Sequence, residues 1–230
     1  MAATVVLVHG AWHGSWCWER VVPLLQRKAV EVRTVDLPSV GPPPGVQPGV
    51  AEDAAAVTAV LDATPGPKLL CGHSYGGLVI TRAAAGRADV PRLVYLAAVM
   101  PLDGESGAAA FGRTGVGGDW IVIEGDRMWP DPARAARVFF NDCDAETQEA
   151  AVARLRPMAT APHGEPVPVA AWRAIPSTYV VCTRDRAIPP DAQRVFARQA
   201  EDFIDLESGH SPFFSQPEAL AALLAQEAAD

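Results

Sequence analysis

The first half of the chain alternates short apolar runs with predicted helices. Apolar or β-branched residues dominate the runs at 4–8, 31–35, 68–71 and 92–97. Helices are predicted between these runs, near residues 16–28, 50–63 and 78–86. Two of the runs are apolar at consecutive positions rather than at every second one, which is typical of strands covered on both faces. This alternation predicts an α/β fold with a mostly parallel sheet and helices on both faces.

The pattern changes between residues 101 and 174, where the chain is rich in glycine and aromatic residues and less regular. Helices are predicted there near 132–140 and 145–155. Strand-type runs return at 177–182 and 202–206, and an alanine- and leucine-rich helix at 216–229 closes the chain. At 230 residues the chain is long enough for one substantial core and short for two. We therefore expect a single domain over residues 1–230, with a cap inserted at approximately 101–174.

Composition and charge limit the partners. The formal net charge is -8, and no dense cluster of Lys and Arg is visible, so neither nucleic acid nor an anionic membrane is an expected partner. Cys17, Cys71, Cys143 and Cys182 lack metal-type spacing and are expected to be reduced and structural. No basic segment precedes the first apolar run, and no run approaches the roughly 18 to 20 apolar residues of a membrane span. A cytoplasmic location is the resulting expectation.

The first candidate for a catalytic motif is the pentapeptide Gly72-His73-Ser74-Tyr75-Gly76, which lies between a predicted strand and a predicted helix. It matches the G-x-S-x-G nucleophile elbow, a strained turn that lifts the serine hydroxyl out of the sheet. Glycines flank such a serine because side chains there would collide with the neighbouring strand and helix. The alternative is a glycine-rich turn with an incidental serine, but the flanking strand and helix favour the elbow. Ser74 is therefore the predicted nucleophile.

A serine hydroxyl is a weak nucleophile that needs a base and a third group to orient the base. Asp185 follows the predicted strand at 177–182, and His210 follows the one at 202–206, which gives the order Ser, Asp, His of α/β enzymes with this elbow. Loops at the carboxyl ends of parallel strands meet over one edge of the sheet. We therefore predict that Asp185 is the acid and His210 the base.

Other candidates have simpler interpretations. His73 belongs to the elbow and is expected to pack or hydrogen-bond locally, while His163 lies in the predicted cap without a partner that the sequence identifies. Asp191 is expected to cap the N-terminus of a helix at 192–199. Asp202 and Asp205 are further candidates for the acid of the triad, but the simpler interpretation is that they are solvated loop residues.

Acyl transfer also needs backbone N–H groups that hold the developing oxyanion. The first strand ends in a small-residue turn, so the expected donors are the amides of Ala11 and of Tyr75, the residue after the nucleophile. Aromatic residues near this turn and in the predicted cap suggest a small apolar or aromatic substrate. The predicted substrate-binding residues are Gly10, Trp12, Trp120 and Trp129.

Four segments together resemble the α/β-hydrolase superfamily: residues 9–18, 72–77, 181–189 and 209–212. The similarity is greatest to the small serine esterases that include plant methylesterases, salicylate-binding protein and hydroxynitrile lyases, with bacterial esterase relatives. The resemblance implies an α/β-hydrolase fold, the same triad and oxyanion donors, and no metal or organic cofactor. Its plant branch also makes a homodimer one option for the assembly.

Two departures from that family bear on the reaction. The lyase members resemble a pattern with threonine after the first-strand histidine and lysine after the catalytic histidine, where this chain has Gly10 and Ser211. A cyanohydrin lyase needs a cation to hold the departing cyanide, so the resemblance favours an esterase. The predicted function is a serine carboxylesterase that forms an acyl-enzyme on Ser74. Alternatives are a thioesterase, a lactonase or a C–C bond hydrolase or lyase with the same triad, and a non-catalytic small-molecule binding protein.

Overall fold

The structure is a computed structural model and describes residues 3–115 and 117–229. Its strands are β1 (Thr4–Val8), β2 (Val32–Val35), β3 (Lys68–His73), β4 (Arg92–Leu96), β5 (Glu105–Ser106), β6 (Ile121–Glu124), β7 (Arg127–Pro130), β8 (Met158–Ala159), β9 (Pro166–Val167), β10 (Ser177–Cys182) and β11 (Asp202–Leu206). Its α-helices are α1 (Val22–Arg27), α2 (Val50–Ala63), α3 (Gly76–Ala83), α4 (Gly107–Gly112), α5 (Pro132–Phe139), α6 (Ala145–Val152), α7 (Ala161–Gly164), α8 (Pro190–Ala197), α9 (Pro212–Ser215) and α10 (Pro217–Glu227).

A six-stranded parallel sheet forms the centre of the molecule, in the order β11-β10-β4-β3-β1-β2. All residues of β1, β3 and β10 are buried, which requires cover on both faces of the sheet. Helix α2 packs against α3, α1 against α10, and α8 against β10. The predicted α/β architecture is confirmed. Because the strands are parallel, their carboxyl ends lie along one edge, where β1, β3 and β10 lead into the predicted site residues.

The segment between β4 and β10 contains more strand than the sequence suggested. Helices α5 and α6 match the predicted ones, but β5 pairs with β9, and β6, β7 and β8 form an antiparallel sheet. These strands have only two to four residues, and β7 pairs with β8 through Met128 and Met158. Runs this short carry no readable periodicity, so only the long-range pairing reveals them. That this segment acts as a cap stays a prediction.

Two local predictions need correction. The single helix expected near 16–28 is a 3-10 helix at Ser15–Trp18 followed by α1. Helix α8 begins at Pro190, after Pro189 in the N-cap position, so Asp191 lies in the first turn and is not the cap. Proline is well suited to the first helical position because the amide hydrogen it lacks would have no helical partner there.

The four cysteines are free, and three of them are buried. Among the described residues, no helix combines the length and apolar character needed to cross a membrane.

Candidate active site

Ser74 lies in a sharp turn between β3 and α3, at the carboxyl edge of the sheet. Its φ is 53°, in the left-handed region that non-glycine residues rarely adopt. The Ser74 amide donates to the Leu96 carbonyl oxygen at 3.1 Å, and the Ser74 carbonyl oxygen accepts from the amides of Gly77 at 3.1 Å and Val99 at 3.0 Å. These three bonds hold a backbone conformation that strains the residue by about 1 kcal/mol or more.

The flanking glycines allow this turn to form. A Cβ on Gly72 would lie 2.6 Å from the Gly76 carbonyl oxygen, and one on Gly76 would lie 2.8 Å from the carbonyl oxygens of Val8 and His9. These are backbone contacts that cannot move aside without shifting β1 or α3. The G-x-S-x-G spacing therefore reflects the close approach of strand, turn and helix.

Asp185 and His210 form a buried pair. The Nδ1 atom of His210 lies 2.7 Å from Asp185 Oδ2, and the two side chains are 1% and 0% exposed. Gln193 Nε2 also donates to Oδ2 at 2.9 Å, while Oδ1 accepts from the amides of Ala187 at 2.7 Å and Ile188 at 3.0 Å. Four donors therefore satisfy the buried carboxylate. Since a carboxylate only accepts, Nδ1 of His210 carries a proton, and the neutral ring in this tautomer has its lone pair on Nε2.

The loop that carries His210 is held from two sides by residues whose role the sequence did not reveal. His73 Nε2 lies 2.8 Å from the His210 carbonyl oxygen, and the two ring centroids are 4.6 Å apart. From the segment between β4 and β10, Asp142 Oδ2 accepts the Gly209 amide at 2.6 Å. His73 therefore hydrogen-bonds across the site rather than locally as expected.

A cavity of about 330 Å³ opens beside these groups. Ser74 and His210 both line it, although the described residues include no hydrogen bond between Ser74 Oγ and His210 Nε2. Such bonds are often long or poorly aligned in a ligand-free site and tighten when substrate binds. The rest of the described lining is mostly apolar and includes no Asp, Glu, Lys or Arg.

The amides expected to form an oxyanion hole are both available. Ala11 and Tyr75 line the cavity together with Ser74. Within residues 3–115 and 117–229, neither backbone N–H donates to a protein acceptor. The next residue after Ala11, Trp12, has a φ of 63°, which bends the chain away at the end of β1. Its Nε1 donates to the Met128 carbonyl oxygen at 3.0 Å and so ties this turn to β7.

The predicted substrate-binding residues divide between the cavity and other places. Trp12 and Trp120 line the cavity and pack edge to face, with ring centroids 5.6 Å apart. Gly10 lies against Ser74, because a Cβ there would be 2.8 Å from Ser74 Cβ. Trp129 lines a separate depression, while its neighbour Met128 lines the cavity. Successive side chains of a strand point to opposite faces, so only one of the two can reach the cavity.

His163 is a cavity residue to which the sequence assigned no role. It lies in α7 with an exposed side chain and lines the cavity in the segment between β4 and β10. Sequence reasoning had no signal for it, because neither its spacing nor a neighbouring motif connects it with the elbow.

Three further histidines lie buried beneath the site and are held neutral. Burial lowers the pKa of His9 to about 4 and that of His13 to about 3, and it lowers the pKa of His73 well below its ordinary value. Their hydrogen bonds agree with this: His9 Nε2 accepts the Leu37 amide at 3.1 Å, which a protonated ring could not do. These three rings therefore add no positive charge beneath the site at neutral pH.

The side chain of Tyr75 is held by a buried carboxylate. Asp53 Oδ2 accepts from Tyr75 Oη and from Ser39 Oγ, each at 2.6 Å, and Oδ1 accepts the Ser39 amide at 2.9 Å. Burial raises the pKa of Asp53, opposed by these hydrogen bonds. The Tyr75 hydroxyl is thus bound to a carboxylate that is not part of the described cavity lining.

A parallel sheet with a strained serine turn and a buried aspartate–histidine pair at its carboxyl edge is the arrangement of an α/β hydrolase. The model of the Alpha/beta hydrolase family matches residues 5–223, and the chain belongs to this family.

Individual relatives are named as hydrolases and esterases. The pyrethroid hydrolase of Sphingobium wenxiniae is 31% identical, over 96% of this chain and 86% of the relative. Methylesterase 1 of Arabidopsis thaliana is 26% identical, over 94% of this chain and 92% of the relative. The crystal structure of a pyrethroid hydrolase from Sphingobium faniae superposes with a TM-score of 0.85 at 28% identity, over 99% of this chain and 98% of that chain. The resemblance to the small esterases is confirmed, and the chain is an enzyme of this ester-hydrolysing group.

Proposed function

We propose that this enzyme is a serine carboxylesterase that works through an acyl-enzyme on Ser74. The observation that carries the proposal is the 2.7 Å contact between His210 Nδ1 and Asp185 Oδ2 in the wall of the cavity that Ser74 also lines. A carboxylate at Nδ1 holds the neutral ring in the tautomer with its lone pair on Nε2, and it stabilises the imidazolium that forms when Nε2 takes the serine proton.

In the first half of the reaction, Ser74 Oγ attacks the ester carbonyl carbon while His210 Nε2 takes the hydroxyl proton. The carbonyl oxygen becomes an oxyanion that accepts hydrogen bonds from the amides of Ala11 and Tyr75. The carbon–oxygen bond to the alcohol then breaks, and the alcohol leaves with the proton from His210. A water molecule attacks the acyl-enzyme in the same way, with His210 again as base, and releases the acid and free Ser74.

The substrate follows from the cavity. Its volume of about 330 Å³ lies at the lower end of small-molecule pockets, and its described lining carries no charged side chain. Trp12, Trp120 and Phe139 form one aromatic cluster in its wall, with centroids 5.1 to 5.7 Å apart. An ester whose reacting portion is small and apolar or aromatic therefore fits, in line with relatives named for pyrethroid and methyl ester hydrolysis.

The test compares short p-nitrophenyl esters with the parent enzyme, Ser74→Ala and the control Ser215→Ala. Ser215 lies in α9, and its hydroxyl has no hydrogen-bond partner in the described part of the chain. We expect Ser74→Ala to lose about 10⁴-fold or more in kcat and Ser215→Ala to keep full activity. A serine-directed phosphonate followed by intact mass should give one adduct that Ser74→Ala lacks.

Other outcomes lead to different conclusions. Ester hydrolysis retained by Ser74→Ala would refute the mechanism. A Ser74 adduct without turnover of simple esters would redirect the search to thioesters, lactones or C–C bonds. Ligand binding with neither adduct nor turnover would indicate a binding protein.

A further inference from the structure

A second depression, of about 420 Å³, adjoins the catalytic cavity. Three arginines line it: Arg134 and Arg137 on α5, and Arg186, which directly follows the acid of the triad. Arg134 and Arg137 are three residues apart and so share one face of α5. Two separate elements therefore bring basic side chains to one place.

Only one of the three arginines has an ion pair in the described parts of the chain. Arg134 pairs with Asp119, its Nη2 lying 3.0 Å from Asp119 Oδ2. Arg137 and Arg186 are exposed and have no ion pair or hydrogen bond in the described parts of the chain. The Asp185 carboxylate also borders the depression; it is buried, is bound by four donors including His210, and forms no ion pair with these arginines among the described residues. The depression therefore has a formal charge of +1, from three arginines and two aspartates, in a protein of net charge -8.

The depression adjoins the cavity. Gly117, Trp120 and Ala187 line both spaces. To bring its far end to the arginines, a ligand whose ester carbonyl lies at Ser74 must extend past Trp120 and Ala187. The cavity is apolar and the depression is basic, so the two match the two ends of an amphipathic molecule.

We infer that the depression is a subsite for a carboxylate, and that the preferred substrates are esters with an apolar portion ending in a carboxylate, such as half-esters of dicarboxylic acids. The inference rests on the proposed function for the position of the ester. Guanidinium groups suit this role because their planar fork matches a carboxylate in a bidentate geometry. Because Arg137 and Arg186 are exposed to solvent, each is expected to contribute moderately to the affinity for the carboxylate.

The test measures binding independently of catalysis. Suberanilic acid and octananilide have the same chain length and a stable amide, and they differ in a terminal carboxylate or methyl group. Their Kd values are measured at low ionic strength by calorimetry for the parent, Arg137→Gln/Arg186→Gln and the control Arg27→Gln/Arg198→Gln. The control removes the same charge from two exposed arginines that have no ion pair within the described residues and lie outside the depression.

We expect Arg137→Gln/Arg186→Gln to weaken suberanilic acid binding by about three- to five-fold for each arginine, with less effect at high salt. Octananilide binding should not change, which also shows that the variant is folded. Equal effects on both ligands, or the same loss in the control, would overturn the inference.

Hydrolysis of the matching p-nitrophenyl half-ester and octanoate separates this inference from the proposed function. Charge-dependent binding without Ser74-dependent hydrolysis would support the subsite and refute the esterase. Ser74-dependent hydrolysis with equal KM values for parent and Arg137→Gln/Arg186→Gln on the half-ester would support the esterase and refute the subsite.

Discussion

The substitution Asp185→Asn tests the triad most sharply, because it replaces one oxygen of a buried carboxylate by an NH2 group and leaves the size of the side chain almost unchanged. The asparagine oxygen can still accept from the amides of Ala187 and Ile188, which Oδ1 of Asp185 binds at 2.7 and 3.0 Å. Its amide nitrogen then faces His210 Nδ1 and Gln193 Nε2, where Oδ2 now accepts two hydrogen bonds. The asparagine NH2 group is a donor, so it would face two other donors, His210 Nδ1–H and Gln193 Nε2–H.

Gln193 cannot easily turn to relieve this conflict. Its Oε1 accepts the Cys182 amide at 2.9 Å, and its Nε2 also donates to the Ile188 carbonyl oxygen at 2.7 Å. His210 must therefore place its proton on Nε2, and it can no longer accept the serine proton. A base in the wrong tautomer lowers kcat by about 10³- to 10⁴-fold. His210 Nδ1 then accepts from the asparagine amide, so a neutral hydrogen bond replaces the charged one to His210, and only the bond from Gln193 is lost. We expect this to lower the free energy of unfolding by about 1–3 kcal/mol.

The assay combines kcat/KM on a p-nitrophenyl ester with urea unfolding followed by tryptophan fluorescence. Asp191→Asn is the control, since Asp191 is exposed in the first turn of α8 and has no contact with His210. Near-ultraviolet circular dichroism checks that the variant retains its fold. If Asp185→Asn kept more than about a tenth of the parental kcat/KM, the role derived for the carboxylate would be wrong.

Three further predictions concern stability and packing. Burial lowers the pKa of His9 to about 4 and that of His13 to about 3. As the pH falls, these histidines therefore bind protons in the unfolded chain before they do so in the folded protein. The stability that is present above about pH 6.5 is lost as the pH falls towards 4, by up to about 1.4 kcal/mol per pH unit for each histidine. Urea unfolding at about pH 7 and pH 5 measures this loss, and an unchanged midpoint would contradict it. Asp53→Ala leaves three hydrogen-bond donors on Ser39 and Tyr75 without their acceptor and lowers the free energy of unfolding by about 3 kcal/mol. A loss below about 1 kcal/mol, measured by urea unfolding, would contradict a stabilising role for these three hydrogen bonds. Gly10→Ala places a Cβ 2.8 Å from Ser74 Cβ, which costs about 1–3 kcal/mol and lowers kcat; the control Gly164→Ala, in open space, should leave both the Tm and kcat unchanged.

The sequence was sufficient to predict the features that local chemistry controls. Consecutive apolar residues identified the buried strands of the parallel sheet. The glycines around Ser74 predicted a turn in which no other residue fits, and the structure shows backbone atoms 2.6 to 2.8 Å from the Cβ positions. The order of Ser74, Asp185 and His210 placed all three at the carboxyl edge, because parallel strands end there. Their catalytic roles stay predictions that the variants above test.

The tertiary structure decided which groups touch across the chain. His73 lies 137 residues from His210 in sequence and still bonds to its carbonyl oxygen at 2.8 Å. Gln193 joins the Asp185 carboxylate from a helix that carried no catalytic motif. The short strands β7 and β8 meet only through long-range pairing, and that pairing turns Met128 to the cavity and Trp129 away from it. Side-chain periodicity and the steric limits of a turn depend on residues close together in the sequence, so the sequence alone determines them. Contacts between residues far apart in the sequence depend on the packing of the whole fold.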